Sequence, residues 1–252
     1  MVGIIDVHCH ILPGVDDGAQ TLEESKKMLE LEYQEGVRTV FATPHFRRRM
    51  FESSMEKIEQ QYQKVKEIAC GIGDGMDVFL ACEYHVNMEI VEDLNSKVRP
   101  TVAGSSYVLA EFSGNSDFSF MRERAYDLIS NGYRPIFAHV ERYRCLGEKI
   151  ERVEELARLG AYMQVNAGSI IGEDGWKVKR FCKKMMQEDL LHFVGTDGHG
   201  MKYRVPHIAQ CAQYMEKKMG QAYTKKILIE NPSEIIKTQQ EGIGENNGTD
   251  TE

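Results

Sequence analysis

Two short motifs near opposite ends of the sequence each place two potential metal ligands one residue apart. Residues 8–10 read HCH and residues 197–199 read DGH. If each motif ends a β-strand, positions i and i+2 face the same side, and Gly198 lets the backbone turn closely. One such motif alone also fits two surface histidines, so the interpretation depends on there being two. The candidate metal ligands from these motifs are His8, His10, Asp197 and His199.

Further potential ligands follow other apolar runs of the chain, namely His45, Glu83, Glu111 and His139. An unpaired carboxylate is costly to bury, so the two glutamates are expected to be either ion-paired or metal-bound. Each of the two histidines also fits a hydrogen-bonded histidine in the core. Asp16 and Asp17 lie in a loop just after the first strand, and residue type alone does not separate a ligand from a turn residue there.

The number of candidate ligands exceeds what one tetrahedral ion needs, so two or three ions are expected. Imidazole and carboxylate groups without a thiolate suit Mn²⁺, Fe²⁺ or Zn²⁺. Such a cavity keeps a net positive charge and favours an anionic substrate such as a phosphomonoester. Divalent ions would lower the pKa of a bound water, which would attack the phosphorus in line.

Two arginines follow candidate histidines in loops at the same edge. Arg142 lies three residues after His139, and Arg204 lies five residues after His199. A guanidinium group matches phosphate oxygens and stays charged, although either arginine alone also fits a solvated surface residue. Residues 46–51 (FRRRMF) form a basic, aromatic loop that either closes over a phenyl ring and its phosphate or is simply exposed.

Three other histidines are expected to lie outside the site. His85 shares a face with Glu83 but is left out of the ligand set. His192 should point away from the interior by strand alternation, and His207 lies beyond the second motif, so both are interpreted as structural.

The chain alternates short apolar runs with longer amphipathic segments, the pattern of βα units with a parallel sheet. Strands are predicted at residues 3–7, 39–42, 78–81, 107–110, 135–138, 162–165 and 192–195. Helices are predicted at residues 21–35, 52–69, 120–131, 150–159, 176–188 and 208–219. The capping-box sequence TLEE at residues 21–24 opens the first helix, and Gly36 ends it.

This order predicts an α/β fold of seven βα units closed into a barrel. Nearly every predicted strand ends on a candidate ligand, and in a parallel barrel the carboxyl ends of all strands meet at one rim. Residues far apart in sequence would therefore converge there. Because no composition break marks a second domain, residues 1–238 are expected to form one domain. Residues 239–252 lack apolar side chains to pack and are expected to form a disordered tail.

Composition excludes several classes of protein. A net charge of −8 over 252 residues and a pI near 5.6 argue against non-specific nucleic-acid binding, which needs a basic face. Neither a signal peptide nor a membrane span is predicted, so the cytoplasm is the expected location. The six cysteines are scattered and expected to be reduced. None has an arginine six positions later, so the nucleophile loop of cysteine-dependent tyrosine phosphatases is missing.

Several segments together carry a family resemblance. They are DVHCH at residues 6–10, VDDG at 15–18, ATPH at 42–45, EF at 111–112, AHVERY at 138–143, TDGH at 196–199 and ENP at 230–232. They resemble the PHP-type protein-tyrosine phosphatases of Gram-positive capsule and exopolysaccharide loci, the CpsB/YwqE group, over nearly the whole chain. VDDGA and HVERY are specific to this group, whereas histidinol phosphatases and polymerase-linked exonucleases share only the scattered metal ligands.

The resemblance implies a distorted seven-stranded barrel with a trinuclear, usually manganese, centre. By matching position it groups the ligands around three ions: His8, His10, Glu83 and Asp197; Glu83, Glu111 and His139; Asp17, His45 and His199. It places Arg142 and Arg204 at the phosphate. TDGH stands here where relatives often have SDAH, which leaves the ligand positions intact. The implied substrate is the tyrosine-rich tail of a membrane-associated tyrosine autokinase.

Other functions remain open at this point. A related phosphoesterase would cleave a small phosphomonoester, such as histidinol phosphate, or nucleic-acid ends, and the acidic pI weighs against the latter. A metal-dependent amidohydrolase shares the barrel and the HxH motif, but such enzymes often carry a bridging lysine at the fourth strand, where this chain has Glu111. A non-catalytic phosphotyrosine-binding module is disfavoured by the full set of ligands and the two arginines.

Overall fold

A computed structural model describes the backbone of residues 1–246 and the side chains of residues 1–238. The strands are β1 (Ile4–Cys9), β2 (Val37–Ala42), β3 (His45–Phe46), β4 (Asp77–Leu80), β5 (Glu83–His85), β6 (Tyr107–Glu111), β7 (Arg134–Phe137), β8 (Tyr162–Asn166) and β9 (Phe193–Gly195). The longer helices are α1 (Leu22–Gln34), α2 (Met55–Ile72), α4 (Phe118–Ser130), α6 (Ile150–Leu159), α8 (Trp176–Gln187), α9 (Ala209–Met219) and α11 (Asn231–Asn246). The shorter helices are α3 (Ile90–Asn95), α5 (Arg144–Gly147), α7 (Ala167–Ile171) and α10 (Gln221–Lys225).

All paired strands run parallel and form two sheets, in the orders β1-β2-β4 and β3-β5-β6-β7-β8-β9. Only two residues separate β2 from β3, and only two separate β4 from β5, so each pair continues in one direction from the first sheet into the second. A parallel bridge between Cys9 and Gly198 joins the end of β1 to the segment that follows β9. This pairing confirms the predicted α/β fold with parallel strands, which are arranged in two sheets.

Apolar side chains fill both sides of the sheets, which explains why the strand sequences are nearly continuously hydrophobic. The larger cluster packs the helices onto the strands and includes Met28 and Leu29 of α1. A smaller inner cluster consists mostly of strand residues from both sheets, among them Val7 and Leu109, and receives Ile235 of α11. The interior is therefore packed with side chains, and any polar site must lie at an end of the strands.

Local sequence signals explain how the first helix is bounded. Thr21 accepts a hydrogen bond from the backbone N–H of Glu24 at 3.2 Å, as the capping box predicts. Gly36 adopts a φ of 99°, a left-handed conformation that costs glycine little, and the chain turns there into β2. The helix thus begins and ends where the sequence indicated.

Each strand predicted from an apolar run coincides with an observed strand. The short strands β3 and β5 were not predicted, because two or three residues are too few to show the alternation of side chains along a strand. Residues 239–246, expected to be disordered, continue α11 in the backbone, because a helix anchored by buried Ile235 extends by one hydrogen bond per residue. Residues 247–252 lie outside the described residues. Within the described part of the chain, no helix combines the length and apolar character needed to cross a bilayer.

Candidate metal centre

The carboxyl ends of the strands bring the predicted ligands to one place. The parallel register of β3 and β5 sets His45 directly opposite Glu83. The pairing of β1 with β2 is irregular between Asp6 and Cys9, which shifts the alternation of side chains. Val7 therefore packs in the inner cluster while the next residue, His8, also faces the interior. Such irregularities commonly re-aim a side chain beside a functional site.

Glu83 is the centre of the cluster and is fully buried. Its Oε2 atom lies 3.2 Å from Nε2 of His8, 3.2 Å from Nε2 of His10 and 2.9 Å from Nδ1 of His45. Its Oε1 atom lies 3.0 Å from Nε2 of His139. Burial opposes ionisation, but the surrounding imidazoles hold the pKa of Glu83 well below its usual range. The group is therefore an ionised carboxylate among imidazoles.

Asp197 uses its two oxygens differently. Its Oδ2 atom accepts hydrogen bonds from Asn166 at 2.8 Å and from Arg204, and it pairs with Arg142 at 2.8 Å. Its Oδ1 atom is buried without a hydrogen-bond donor and lies 3.6 Å from Nε2 of His8. Although burial opposes ionisation, the neighbouring imidazoles and guanidinium groups hold the pKa of Asp197 well below its usual range. One oxygen is thus fixed by protein donors and the other is left available to a ligand.

Several residues of the cluster adopt a left-handed backbone. The φ angles are 33° at His139, 54° at Asp197 and 51° at Arg204. The turn expected at Gly198 is therefore made by Asp197 itself, and Gly198 is required for a different reason. A Cβ atom there would lie 2.7 Å from Cβ of Pro206. Such uncommon conformations persist where the surrounding structure fixes them, and they concentrate at functional sites.

Hydrogen bonds from outside the cluster fix the orientation of three imidazoles. Nδ1 of His8 lies 3.2 Å from Oε1 of Gln164, and Nδ1 of His10 lies 2.9 Å from Oδ2 of Asp16. Nδ1 of His199 lies 2.8 Å from the backbone oxygen of Asp197. Because all three partners are acceptors, we assign the ring proton to Nδ1, which leaves the Nε2 lone pair facing the cluster.

The inward-facing atoms match the requirements of divalent ions. Nε2 of His8 and Nε2 of His10 lie 3.1 Å apart, and both are assigned as lone-pair acceptors. Oε2 of Glu83 and Oδ1 of Asp197 are buried without a donor. Facing lone pairs and ionised carboxylates repel one another unless a cation lies among them. The donor set therefore fits bound metal.

The two aspartates of the first loop have different roles. Oδ1 of Asp17 lies 3.5 Å from Nε2 of His45 and 3.6 Å from Nε2 of His199. The nearby imidazole of His199 is the main influence that lowers the pKa of Asp17 to about 2. Asp16 instead accepts from His10 and, at 2.8 Å, from the backbone N–H of His45. Asp17 thus faces the cluster, whereas Asp16 orients a histidine of that cluster.

Glu111 lies at the outer edge of the cluster, with Oε1 3.8 Å from Nε2 of His139. Burial, followed by the nearby charge of Glu83, raises the pKa of Glu111 to about 7. A neighbouring cation would favour its ionised form.

Three groups of candidate ligands have ligand atoms within 4.8 Å of one another. They are His10, Asp17, His45 and His199; His8, His10 and Asp197; and His45, Glu83 and Glu111.

A separate acidic cluster consists of Asp6 and Cys9 of β1 and Glu32 of α1. Burial raises the pKa of Glu32 well above its usual range and also raises that of Asp6. Asp6 accepts from the backbone N–H of Thr196 at 2.9 Å. Neutral carboxyl groups explain this cluster without a metal ion, and Asp6 ties β1 to the loop that follows β9.

Both predicted arginines lie at the edge of the ligand cluster. Each contacts Oδ2 of Asp197, and Nη1 of Arg204 also donates to Nε2 of His199 at 2.9 Å. Arg142 and Arg204 are partly exposed, and these contacts use only some of the five N–H donors of each guanidinium. They line a cavity of about 300 Å³ that also includes Asn166. Two larger grooves, of about 480 and 670 Å³, lie around α5 and α8, away from the ligands.

The basic loop at residues 46–51 reaches the cluster through Phe51, whose ring stacks on His45 at 4.9 Å. Phe46, by contrast, is only 4% exposed, so the ring of Phe46 is not available to a substrate. It packs beneath the guanidinium of Arg99, 4.5 Å from the ring centre. Arg48 is paired with Asp93, which fixes the loop onto α3.

The family model described as capsular polysaccharide synthesis, CpsB/CapC, matches residues 4–237. The chain belongs to this family. The tyrosine-protein phosphatase CpsB of Streptococcus pneumoniae is 34% identical over 241 residues, which cover 94% of this chain and 99% of the relative.

Solved structures agree with this assignment. The chain matches the crystal structures of YwqE from Bacillus subtilis and CpsB from Streptococcus pneumoniae, described as metal-dependent tyrosine phosphatases, with a TM-score of 0.86 and 29% identity over 94% of this chain and 95% of the other. Histidinol phosphate phosphatase from Lactococcus lactis, solved with zinc, L-histidinol and phosphate, matches with a TM-score of 0.60 and 14% identity over 88% and 95%. The latter likeness shows the fold alone.

Some residues of this CpsB/CapC site were missed in the sequence. Oε1 of Gln164 also accepts from the backbone N–H of His139 at 2.8 Å, and Nε2 of Gln164 donates to Oδ1 of Asn166 at 2.9 Å. Asn166 in turn donates to Asp197. The available signal was two polar residues at i and i+2 at the end of an otherwise apolar strand, on the face that the ligands share.

Several buried cysteines are held as thiols. Burial raises the pKa of Cys9 and of Cys82 well above the usual range of a thiol, and it also raises that of Cys182. A thiolate, rather than a thiol, is the attacking form in cysteine phosphatases. Cys9 and Cys82, which are next in sequence to candidate ligands, are therefore not in the form that attacks phosphorus.

Proposed function

We propose that this CpsB/CapC family member is a metal-dependent protein-tyrosine phosphatase that hydrolyses phosphotyrosine by metal-activated water. One observation carries the proposal, the different surroundings of the two oxygens of Asp197. One oxygen has no hydrogen-bond donor and faces the imidazole cluster, and the other contacts Arg142 and Arg204. Phosphate oxygens need cations on more than one side, and this arrangement supports metal ions and guanidinium groups next to each other.

We assign the metal to the side chains that converge on Glu83 and Asp197. The proposed ligands are His8, His10, Asp17, His45, Glu83, Glu111, His139, Asp197 and His199. Their number supports two or three ions, and imidazole with carboxylate favours Mn²⁺, with iron or zinc as chemically suitable substitutes. When bound, such ions lower the pKa of water and neutralise charge on the phosphoryl group.

The remaining side chains position the substrate and the ligands. Arg142 and Arg204 bind the phosphate oxygens and stabilise the negative charge that develops on them in the transition state. Gln164 and Asp16 hold the imidazoles of His8 and His10 by their outer nitrogens. A ligand whose orientation is fixed before the ion binds gives a tighter site.

We infer that the two sheets together make a distorted barrel of seven strand positions. We count β2 and β3 together as one strand position, and β4 and β5 together as another. The bridge from Cys9 to Gly198 supports closure between β1 and β9. The carboxyl ends of these positions carry the proposed site, as in other parallel barrels.

The proposed physiological substrate is the phosphotyrosine-bearing tail of a bacterial tyrosine autokinase, in keeping with the capsule-synthesis family to which the chain belongs. The proposed location is the cytoplasm. All six cysteines are free, four of them buried, and free thiols persist in a reducing compartment.

The first test is metal dependence. Purified protein should hydrolyse p-nitrophenyl phosphate and a phosphotyrosine peptide, lose activity in EDTA, and recover best with Mn²⁺ or a similar first-row ion. Mild alkylation of thiols should have little effect. Full activity in excess EDTA would contradict the proposal, and so would inactivation by alkylation in a protein that stays folded.

The second test compares substrates with different leaving groups. A recessed site favours phosphotyrosine because its phosphate extends further from the backbone than that of phosphoserine. Peptides of the same sequence with phosphotyrosine should be cleaved much faster than those with phosphoserine. Comparable rates would indicate a general phosphomonoesterase. Much faster cleavage of histidinol phosphate would indicate a small-molecule phosphatase.

A further inference from the structure

A row of three polar side chains follows candidate ligands by two residues at the ends of neighbouring strands. Arg47 follows His45 and lies just beyond β3, and His85 follows Glu83 and ends β5. Because side chains alternate along a strand, His85 faces the same side as Glu83. The third member, Ser113, follows Glu111 by the same interval, and its Oγ lies 3.2 Å from Nε2 of His85.

Strand register supports this placement of Arg47. His45 lies opposite Glu83 and Phe46 opposite Tyr84, where the pairing ends, and continuing this register by one residue brings Arg47 level with His85. Backbone bonds to Phe51, of 3.1 and 2.8 Å, hold Arg47 in a narrow antiparallel bridge. The position of Arg47 is therefore fixed by the fold of the loop.

The other contacts of the loop leave Arg47 as an available cation. Phe46 is buried, and Arg48 is paired with Asp93 and, at 3.4 Å, with Glu89. Arg47 is exposed and forms no ion pair among residues 1–238. Arg48 thus anchors the loop to α3, while Arg47, two residues after the candidate ligand His45, is exposed without a carboxylate partner.

We propose that Arg47, with His85 and Ser113, forms a second anion-binding subsite, which recognises an acidic group close to the phosphotyrosine in the substrate. This proposal rests on the proposed function. A guanidinium, an imidazole and a hydroxyl are all hydrogen-bond donors, so their common ligand is an anion. Two residues along a strand span about 7 Å, which is also the spacing of side chains on one side of an extended peptide. A carboxylate or a second phosphate two residues from the phosphotyrosine fits this distance.

The test uses peptides of equal length that differ at the positions two residues before and after the phosphotyrosine. One carries glutamine there, the second glutamate and the third a further phosphotyrosine. Comparing kcat/KM of the Mn²⁺-loaded enzyme on the second and third peptides with the first separates carboxylate from phosphate recognition. Wild-type protein should prefer the anionic peptides, mainly through a lower KM, and the preference should shrink at high salt.

Arg47→Gln should lower this preference about fivefold, the size expected for an exposed ion pair. Arg49→Gln is the matched control, because it removes the same charge from the same loop and should keep the preference. Arg47→Lys should retain part of it. Circular dichroism and metal content should show that each variant is folded and loaded.

Three outcomes would overturn the subsite. Equal kcat/KM of wild-type protein on all three peptides would show that no such subsite exists. An equal loss of preference in Arg47→Gln and Arg49→Gln would assign it to the general charge of the loop. If no phosphotyrosine peptide is hydrolysed while small phosphomonoesters are, the proposed function falls together with the subsite. The first two outcomes leave the proposed function intact.

Discussion

At the scale of single residues, the two oxygens of Asp197 separate the proposed metal binding from the proposed phosphate binding. Oδ1 faces imidazoles, whereas Oδ2 accepts from Asn166 and Arg204. Replacing a proposed metal ligand should therefore lower metal content, and replacing an arginine that contacts Oδ2 should mainly affect the substrate.

His139→Ala and Arg204→Ala test this division. His139→Ala removes a proposed ligand and should lower both metal content and turnover by orders of magnitude. Arg204→Ala should keep its metal and lower the rate by about 10²–10³, since losing a charge-assisted contact to the transition state costs ~2–4 kcal/mol. Metal analysis with kcat/KM on p-nitrophenyl phosphate provides both readouts. Equal metal loss in both variants would show that Arg204 is structural.

Asp16→Ala tests a residue that orients a ligand without facing the cluster. Asp16 accepts from Nδ1 of His10 at 2.9 Å, so its loss should weaken metal binding about 10- to 100-fold, as is usual for such partners. Competition with a chelator measures the metal affinity directly, without turnover. Unchanged affinity would mean that the imidazole is held by other contacts.

At the scale of elements, the loop of residues 14–19 is built against His10. Ala19 donates its backbone N–H to the backbone oxygen of His10 at 2.9 Å. A Cβ atom at Gly18 would lie 2.2 Å from that oxygen and 2.5 Å from Cβ of His10, and neither is the flexible end of a side chain. The loop of residues 14–19 can therefore adopt this conformation only when His10 is in its observed position, and the reverse also holds.

Gly18→Ala should displace His10 and lower metal affinity and activity by about tenfold or more, the effect expected when a ligand loses its orientation. Gly71→Ala is the control, because a Cβ atom there meets nothing within 4 Å. In helix α2 that change should stabilise the fold by about 0.5–1 kcal/mol. Thermal melting and metal titration of both variants make the comparison. Normal metal binding by Gly18→Ala would show that the loop yields without moving His10.

The sequence was informative where one local rule decides the outcome. The HCH motif at residues 8–10 and the strand-end carboxylates Glu83 and Glu111 were placed by alternation and by the expected rim of a parallel sheet. It was uninformative where the partner is distant in sequence. Arg48 is anchored by Asp93, 45 residues away, and this contact could not be inferred from the loop alone. The burial of Phe46 under Arg99 also depends on tertiary packing, so the sequence did not distinguish this phenylalanine from Phe51.

At the scale of the whole molecule, stability should depend on pH through a histidine remote from the site. His192 accepts from the backbone N–H of Met163 at 3.1 Å, and burial lowers its pKa to about 4. In the unfolded chain the pKa is about 6.5, so the unfolded state takes up the proton first as the pH falls. The stability from neutral His192 is present above about pH 6.5 and is lost progressively towards about pH 4.

His192→Gln should therefore weaken the pH dependence of folding. Between pH 7.5 and 5.0 the parent should lose about 2 kcal/mol more unfolding free energy than the variant. Urea unfolding at both values measures this difference, and His207→Gln, at an exposed position, is the control. The same pH dependence in parent and His192→Gln would contradict the assignment.

The junction between β1 and the segment after β9 also bears on how the protein matures during synthesis. The backbone N–H of Asp197 donates to the backbone oxygen of His8 at 2.7 Å, so the first strand acquires its last partner only after most of the chain has left the ribosome. A nascent chain that carries only the earlier candidate ligands lacks the carboxylate of Asp197 and the contacts of the loop that follows β9. Pairing across such a separation is slow because a long loop must close. The proposed metal site, which includes Asp197 and His199, can therefore be complete only after this late segment has been synthesised, and a chain that ends before it would lack the stabilisation that a bound ion supplies.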